Sequence, residues 1–244
     1  MATAEGLPEG LLAGFGSART IPSRSKLART VACVASPGGL RVIPEVAEGE
    51  RLCLKLVQCD ARTAQRLCAA TRPISRLTHP NIVRYFEPTI LPSSKAEKGG
   101  VAFVLACDLC AKGSLLDYFL SERSCNLRAA ATQSFAPVIV LQVSRGLAYL
   151  HSVAFLSHGN LSLSNVLMDS EGQVRLTDVA LRGVLEEVLG REEQGAAASQ
   201  SACCYGYEAP EITASTVPTP EGDVFSVGCI YSELVTRTLV SERL

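Results

Sequence analysis

The sequence predicts an α+β fold, a small antiparallel β region with one helix followed by a larger, mainly helical region. Three observations predict it. Val31 to Gln58 is a series of short apolar runs split by Ser36-Pro37-Gly38-Gly39, Ile43-Pro44 and Glu48-Gly49-Glu50, the pattern of short strands joined by turns. Ala61 to Leu77 carries Ala64, Leu67, Cys68, Thr71, Ile74 and Leu77 at three-to-four spacing, one face of a helix that Pro73 should kink or split. Pro137 to Ser152 repeats the helical period with apolar residues nearly all round, which predicts a buried helix with Pro137 in its first turn.

Composition sets the limits. In 244 residues, 47% apolar content against 19% charged residues supports a packed core in one large domain or two small ones. A net charge of −1 gives no electrostatic case for nucleic acid or a membrane surface. Apolar runs such as Ala136 to Val143 fall far short of the roughly 18 residues a membrane span needs. Ten cysteines without a signal peptide at Met1 to Gly10 fit a reducing compartment, so a cytoplasmic location is expected. Cys107-x-x-Cys110 has no second pair at ligand spacing, and His151 and His158 span a helix end, so both sets are read as structural.

Residues 1–30 hold scattered Gly, Pro and Ser without a sustained period and read as a flexible leader. Arg19, Arg24, Lys26 and Arg29 within it read as a solvated basic cluster.

The richest stretch is Ser157 to Ala180. Val166 to Met168 and Val174 to Leu176 read as two short strands around the turn Asp169-Ser170-Glu171-Gly172, with a glycine available for positive φ. Polar clusters flank this hairpin: His158, Asn160 and Asn165 before it, Thr177 and Asp178 after it.

His158-Gly-Asn-Leu-Ser-Leu-Ser-Asn165 followed by Leu176-Thr-Asp178 resembles the protein-kinase catalytic loop H-R-D-L-x-x-x-N and the D-F-G that follows it, at the same spacing. Further motifs stand in family order. Leu52-Cys53-Leu54-Lys55 resembles V-A-I-K, and His79-Pro80-Asn81-Ile82-Val83 resembles the loop after the small lobe's helix. Lys112 to Leu120 resembles the segment leaving the hinge, where Ser114 suits a helix cap and Asp117 the helix N-terminal dipole. Gly146 to His151, Ala209-Pro210-Glu211 and Asp223 to Gly228 complete the set.

The resemblance implies a bilobal fold: an N-lobe over residues 31–110 and a C-lobe over 111–244 that stops before its expected end. Ile230, Leu234 and Leu239 would then face a missing surface. It implies an ATP pocket in which Lys55 reaches phosphate, Cys53 and Leu167 sandwich adenine, Cys107 is the gatekeeper and Asp108, Leu109 and Cys110 form the hinge. Asn165 and Asp178 would hold Mg²⁺.

The departures from the family are specific. Asn160 stands where the catalytic aspartate would be, and a neutral amide cannot take a hydroxyl proton. Gly159 replaces the arginine, Val179-Ala180 replaces Phe-Gly, and Ser162 stands where many kinases keep a lysine. The lysine-pairing glutamate would fall at Ala70, and no Glu occurs between Lys55 and Asn81. Gly38-Gly39, the glycine pair before the Lys55 strand, has no third glycine at the spacing of a phosphate-covering loop. Ser199, Ser201 and Tyr205 lie where activation-loop phosphosites would be. The expectation is a catalytically impaired pseudokinase that regulates or scaffolds protein partners and binds ATP weakly. The residues leave two alternatives: a weakly active kinase, Ser/Thr before Tyr, or a truncated product of a longer kinase-like protein.

Overall fold

The computed structural model describes residues 15–20, 29–35, 50–92, 100–123, 129–190, 206–212 and 217–240. The chain divides into two compact units, the first holding residues up to Leu77, Arg84–Leu109 and Val184–Gly190, the second Thr78–Val83, Cys110–Gly183 and 191–244. The main division thus falls between Leu109 and Cys110.

The first unit is built on five strands: β1 (Phe15–Thr20), β2 (Arg29–Ala35), β3 (Arg51–Cys59), β4 (Thr89–Pro92) and β5 (Val101–Asp108), in the order β1-β2-β3-β5-β4. Every neighbouring pair is antiparallel. The leader expected over residues 1–30 therefore needs correction, because β1 lies within it and β2 begins at Arg29. Strand pairing supplies the order that residues 15–20 do not encode as a local period. Side chains alternate across the sheet. Val31, Cys33, Leu52, Leu54, Leu56, Phe86, Leu91, Val104 and Ala106 form one apolar core. Burial in it pushes the Cys33 thiol up to about 12, with the charge of a Cys53 thiolate adding to the effect.

Helix α1 (Ala61–Ser75) packs beside β5. Asp60 caps it, its Oδ1 accepting from the backbone N–H of Arg62 at 2.8 Å and Thr63 at 3.0 Å. Ala64, Leu67, Thr71 and Ile74 are buried, the face read from the spacing. Pro73 does not split the helix, since it sits in the last turn, where little helix follows it.

The second unit contains α2 (Leu115–Arg123), α3 (Ala129–Tyr149), a π-helical turn (Leu150–Ala154), a 3-10 turn (Leu163–Asn165), the hairpin β6 (Val166–Met168) and β7 (Val174–Leu176), and α5 (Pro220–Thr236). Helix α4 (Leu181–Leu189) lies between β7 and α5 in the chain, its first residues counted with the second unit and those from Val184 with the first. Ser114 and Asp117 form a reciprocal cap at α2, with Asp117 N–H donating to Ser114 Oγ at 3.1 Å and Ser114 N–H to Asp117 Oδ2 at 3.2 Å.

Two helix expectations are corrected. Helix α3 begins at Ala129 and keeps Pro137 in its interior. It is also not buried all round: Ala136, Val143 and Leu147 are buried, whereas Val138 and Leu141 are each 50% exposed. Helix α5 packs on α3. Ile230 and Leu234, expected to look onto a missing surface, are buried at 0% and 1% exposure, and Leu239 is half-buried; on α5 the exposed large apolar residues are Val224, Phe225, Tyr231 and Val235. Helical phase explains this, because Ile230 and Leu234 share a face with buried Asp223, Ser226 and Glu233. Among the described residues no helix is long and apolar enough to cross a membrane.

Candidate active site

The loop carrying His158, Gly159 and Asn160 is held by one carboxylate. Thr219 caps α5, its Oγ1 accepting from Gly222 N–H at 3.1 Å, and this sets Asp223 in the first turn at 2% exposure. Asp223 Oδ2 accepts from His158 N–H at 2.7 Å and Oδ1 from Gly159 N–H at 2.9 Å. Oδ2 also lies 2.9 Å from His151 Nε2, in the π-helical turn at the end of α3. Hydrogen bonds to an ionised acceptor are about twice as strong as neutral ones, so this carboxylate fixes the loop backbone.

His158 is fully buried. Its Nδ1 accepts from Asn160 N–H at 3.3 Å, its carbonyl accepts from Ala180 N–H at 3.0 Å, and its Nε2 has no hydrogen-bond partner. Burial lowers its pKa, against the opposing pull of Asp223 and Asp178. Gly159 adopts φ +69° beneath Pro218.

Asn160, Asn165 and Asp178 all belong to this unit. Asn165 Nδ2 donates to the Asn160 carbonyl at 2.6 Å, and the Asn165 carbonyl accepts from Thr177 N–H at 3.0 Å, tying the loop to the residue before Asp178. Asn165 and Asp178 are 9% and 8% exposed. With its amide nitrogen spent on Asn160, Asn165 keeps an amide oxygen, and Asp178 carries a carboxylate, so the two residues together offer oxygen donors only. That chemistry fits Mg²⁺, which takes one or two carboxylates and fills its shell with water and phosphate oxygens. Ser162, at the position read as a lost lysine, is 1% exposed, and its hydroxyl lies 2.7 Å from that of Ser164.

The hairpin places Leu167 firmly. Asp169 Oδ1 accepts from Glu171 and Gln173 N–H at 3.0 and 2.9 Å, and Gly172 takes φ +84° in the turn. Burial pushes the Asp169 carboxyl up, but hydrogen bonds from Arg175 and the turn amides outweigh it and leave the pKa lowered. Leu167 bridges to Ser114, while Met168 N–H donates to the Gly113 carbonyl at 2.9 Å.

The other predicted residues lie in the first unit, apart from Cys110, which is buried in the second. Lys55 is 8% exposed and stands opposite Leu105. Half-buried Cys53 stands opposite buried Cys107. Leu109 N–H donates to the Arg51 carbonyl at 3.1 Å. Asp108 Oδ1 accepts from Arg84 at 3.0 Å; the same guanidinium bonds Glu50 and lies 4.5 Å from the Phe86 ring centroid. Helix α1 contains no acidic residue, so it offers Lys55 no carboxylate.

One correction concerns the phosphate-covering loop. Gly38-Gly39 falls between β2 and β3, whereas in this sheet the connection ahead of β2 is residues 21–28, Ile-Pro-Ser-Arg-Ser-Lys-Leu-Ala, without a glycine. Both segments, and Ser199, Ser201 and Tyr205, lie outside the described residues. Sequence reading also missed the role of Pro218 and matched Asp223 to a motif without assigning it to the loop. The spacing of two backbone amides from a distant helix cap gives no local signal.

A family described as the protein kinase domain matches residues 42–243. A probable leucine-rich repeat receptor-like protein kinase of Arabidopsis thaliana is 30% identical over 70% of this chain and 20% of its own length. An LRR receptor-like serine/threonine-protein kinase of the same plant is 31% identical over 72% of this chain and 16% of its own. The chain thus spans a quarter or less of these relatives' lengths. The kinase domain of maize sucrose-induced receptor kinase 1, solved with AMP-PNP, aligns with a TM-score of 0.65 at 22% identity, covering 98% of this chain and 73% of that one.

Proposed function

The chain belongs to the protein kinase domain family, and from that premise we propose a catalytically impaired member, a pseudokinase-type module that binds ATP weakly and regulates or scaffolds protein partners. The observation that carries the reading is Asn160. It sits on a loop held by Asp223 at the His158 and Gly159 amides and by Asn165 at the Asn160 carbonyl, and its side chain cannot accept the substrate proton. A positioned base contributes about 10²–10⁴-fold. The absence of a carboxylate on α1 and the turning of Ser162 toward Ser164 remove further support for phosphoryl transfer.

Nucleotide binding is supported by Lys55 on β3, the Asn165 and Asp178 oxygens, and the AMP-PNP of the maize neighbour. A bound Mg²⁺ supplies charge neutralisation at the phosphates. Lys55 would supply a cation to them, and Asn165 and Asp178 are the residues that would hold the ion. Weak affinity follows from the glycine-free residues 21–28. Exposed Val224, Phe225 and Tyr231 on α5 support a partner surface. A cytoplasmic location belongs to the same proposal and rests on the cysteine-rich composition of the chain.

Thermal denaturation with ATP and Mg²⁺ tests it. The expected result is a rise in Tm at millimolar nucleotide that Lys55→Met or Asp178→Ala removes, with no phosphate transfer by the wild-type chain. Asn160→Asp should raise transfer above background. Robust transfer by the unaltered chain would instead establish a working kinase.

A further inference from the structure

Cys53 and Cys107 stand directly opposite each other on neighbouring antiparallel strands. The bond from Leu109 N–H to the Arg51 carbonyl marks 51/109 as a hydrogen-bonded pair, and the alternation of antiparallel ladders makes 53/107 another. Such pairs have Cα atoms about 5.5 Å apart with both side chains on one face. Disulfides span about 4.4–6.8 Å between Cα atoms, so the backbone is already in range. Cβ atoms of opposed residues lie about 4.5–5.5 Å apart against about 3.5–4.5 Å in a disulfide, so closure draws the strands slightly inward. Strain of that kind makes a bond easily reduced, the property of regulatory rather than structural disulfides.

The two thiols also differ in the way a switch needs. Cys53 is half-buried and accessible, while Cys107 is 1% exposed and shielded. Lys55 is two residues along β3 on the face that carries Cys53.

We propose that Cys53 and Cys107 form a reversible peroxide-driven cross-strand disulfide that switches off the nucleotide site. The Cys53 thiolate attacks hydrogen peroxide, its sulfur taking one oxygen as a sulfenic acid while hydroxide leaves. The Cys107 thiolate then attacks that sulfur, forming the S–S bond and expelling the oxygen as hydroxide, which the thiol protons convert to water. In sum two thiols are oxidised and one peroxide is reduced to two waters. The regulatory half rests on the ATP-binding reading above, since the bond would rigidify the strand pair carrying Lys55 and tie down the residue assigned to the adenine.

The test is a tryptic map of the full chain under non-reducing conditions after peroxide treatment. Residues 52–55 should appear linked to residues 99–112, two hydrogens lighter than the separate reduced peptides and released by dithiothreitol. The link should persist in Cys110→Ala and vanish in Cys107→Ala, because both cysteines lie in the second peptide. In parallel, the ATP-induced rise in Tm should disappear on oxidation and return on reduction. A link made through Cys110, or Cys53 and Cys107 both still alkylatable after peroxide, overturns the proposal; a correct link that leaves the ATP shift unchanged overturns the regulation. A reduced chain without any ATP shift refutes the nucleotide reading, which the peptide map distinguishes because it reads the bond directly.

Discussion

Pro218 lies over Gly159 so closely that a Cβ on residue 159 would come within 2.7 Å of the proline Cβ and 2.8 Å of its Cγ. The ring occupies the space from which a side chain at this position would emerge. Gly159 also sits at φ +69°, which L-residues rarely adopt. The arginine of the kinase motif therefore cannot be restored here without moving the loop. Overpacking costs about 1–3 kcal/mol and the left-handed backbone about 1–2, so Gly159→Ala should destabilise by roughly 2–5 kcal/mol. Gly183→Ala is the control, since nothing lies within 4 Å of its Cβ position and it is in α4. Urea midpoints should fall for the first and hold or rise for the second; equal midpoints would refute the packing account.

Ala180 predicts the opposite sign. It holds φ +53° where the kinase motif has glycine, fixed by its N–H donating to the His158 carbonyl. Glycine relieves about 1–2 kcal/mol of backbone strain and gives back roughly 0.4–1 through the more flexible unfolded chain. Ala180→Gly should thus raise stability by about 0.5–1 kcal/mol, read as a Tm increase of roughly 1–4 °C. A lower Tm would show that the alanine methyl makes packing contacts worth more than the strain.

How much of this was legible depended on whether the determinant was local. The β6–β7 hairpin could be read residue by residue because Asp169 and Gly172 carry the turn within the segment itself. The α1 face was equally readable, since Ala64, Leu67, Thr71 and Ile74 repeat at helical spacing. Strand β1 was not, because it exists by pairing with β2 rather than by its own pattern. The kinase resemblance, read as a lobe that stops early, also gave the wrong orientation for Ile230 and Leu234, where the packing of α5 on α3 decides which face is inward. Within the site, Asn160, Asn165 and Asp178 came from motif spacing, but the Asp223 anchor and the Pro218 lid join positions about 60 residues apart in the chain.

His158 makes stability depend on pH. Burial holds its folded pKa below the ordinary value, so the unfolded chain binds the extra proton first as pH falls. Its contribution is fully present above the unfolded value of about 6.5 and is lost as pH drops from there through the folded pKa, by up to about 1.4 kcal/mol per unit. His79, stacked on Tyr149 with its pKa also lowered by burial, adds a slope of the same sign. The lowered carboxyls Asp60 and Asp169 contribute only at more acid pH. Denaturation at pH 7.5 and 5.5 should show a clear loss at the lower pH, reduced in His158→Gln. An unchanged slope in that variant would assign the pH dependence elsewhere.

Asp223→Asn should uncouple the loop without emptying any space. The carboxylate accepts from two backbone amides and faces His151, and an asparagine has one acceptor oxygen, so its NH₂ group must oppose a donor. Hydrogen bonds to charged groups contribute about 1.5–3 kcal/mol each, and a buried donor left unsatisfied costs about 1–3. The expected loss is about 3 kcal/mol, although the side chain keeps its size. His151→Ala removes only the third contact and should cost less. In a double-mutant cycle His151→Ala should matter much less once Asp223 is Asn, because the pair shares one oxygen, Oδ2. Strict additivity of the two substitutions would show that His151 acts independently of Asp223, and the account of one carboxylate organising the His158–Asn160 loop together with the end of α3 would then fail.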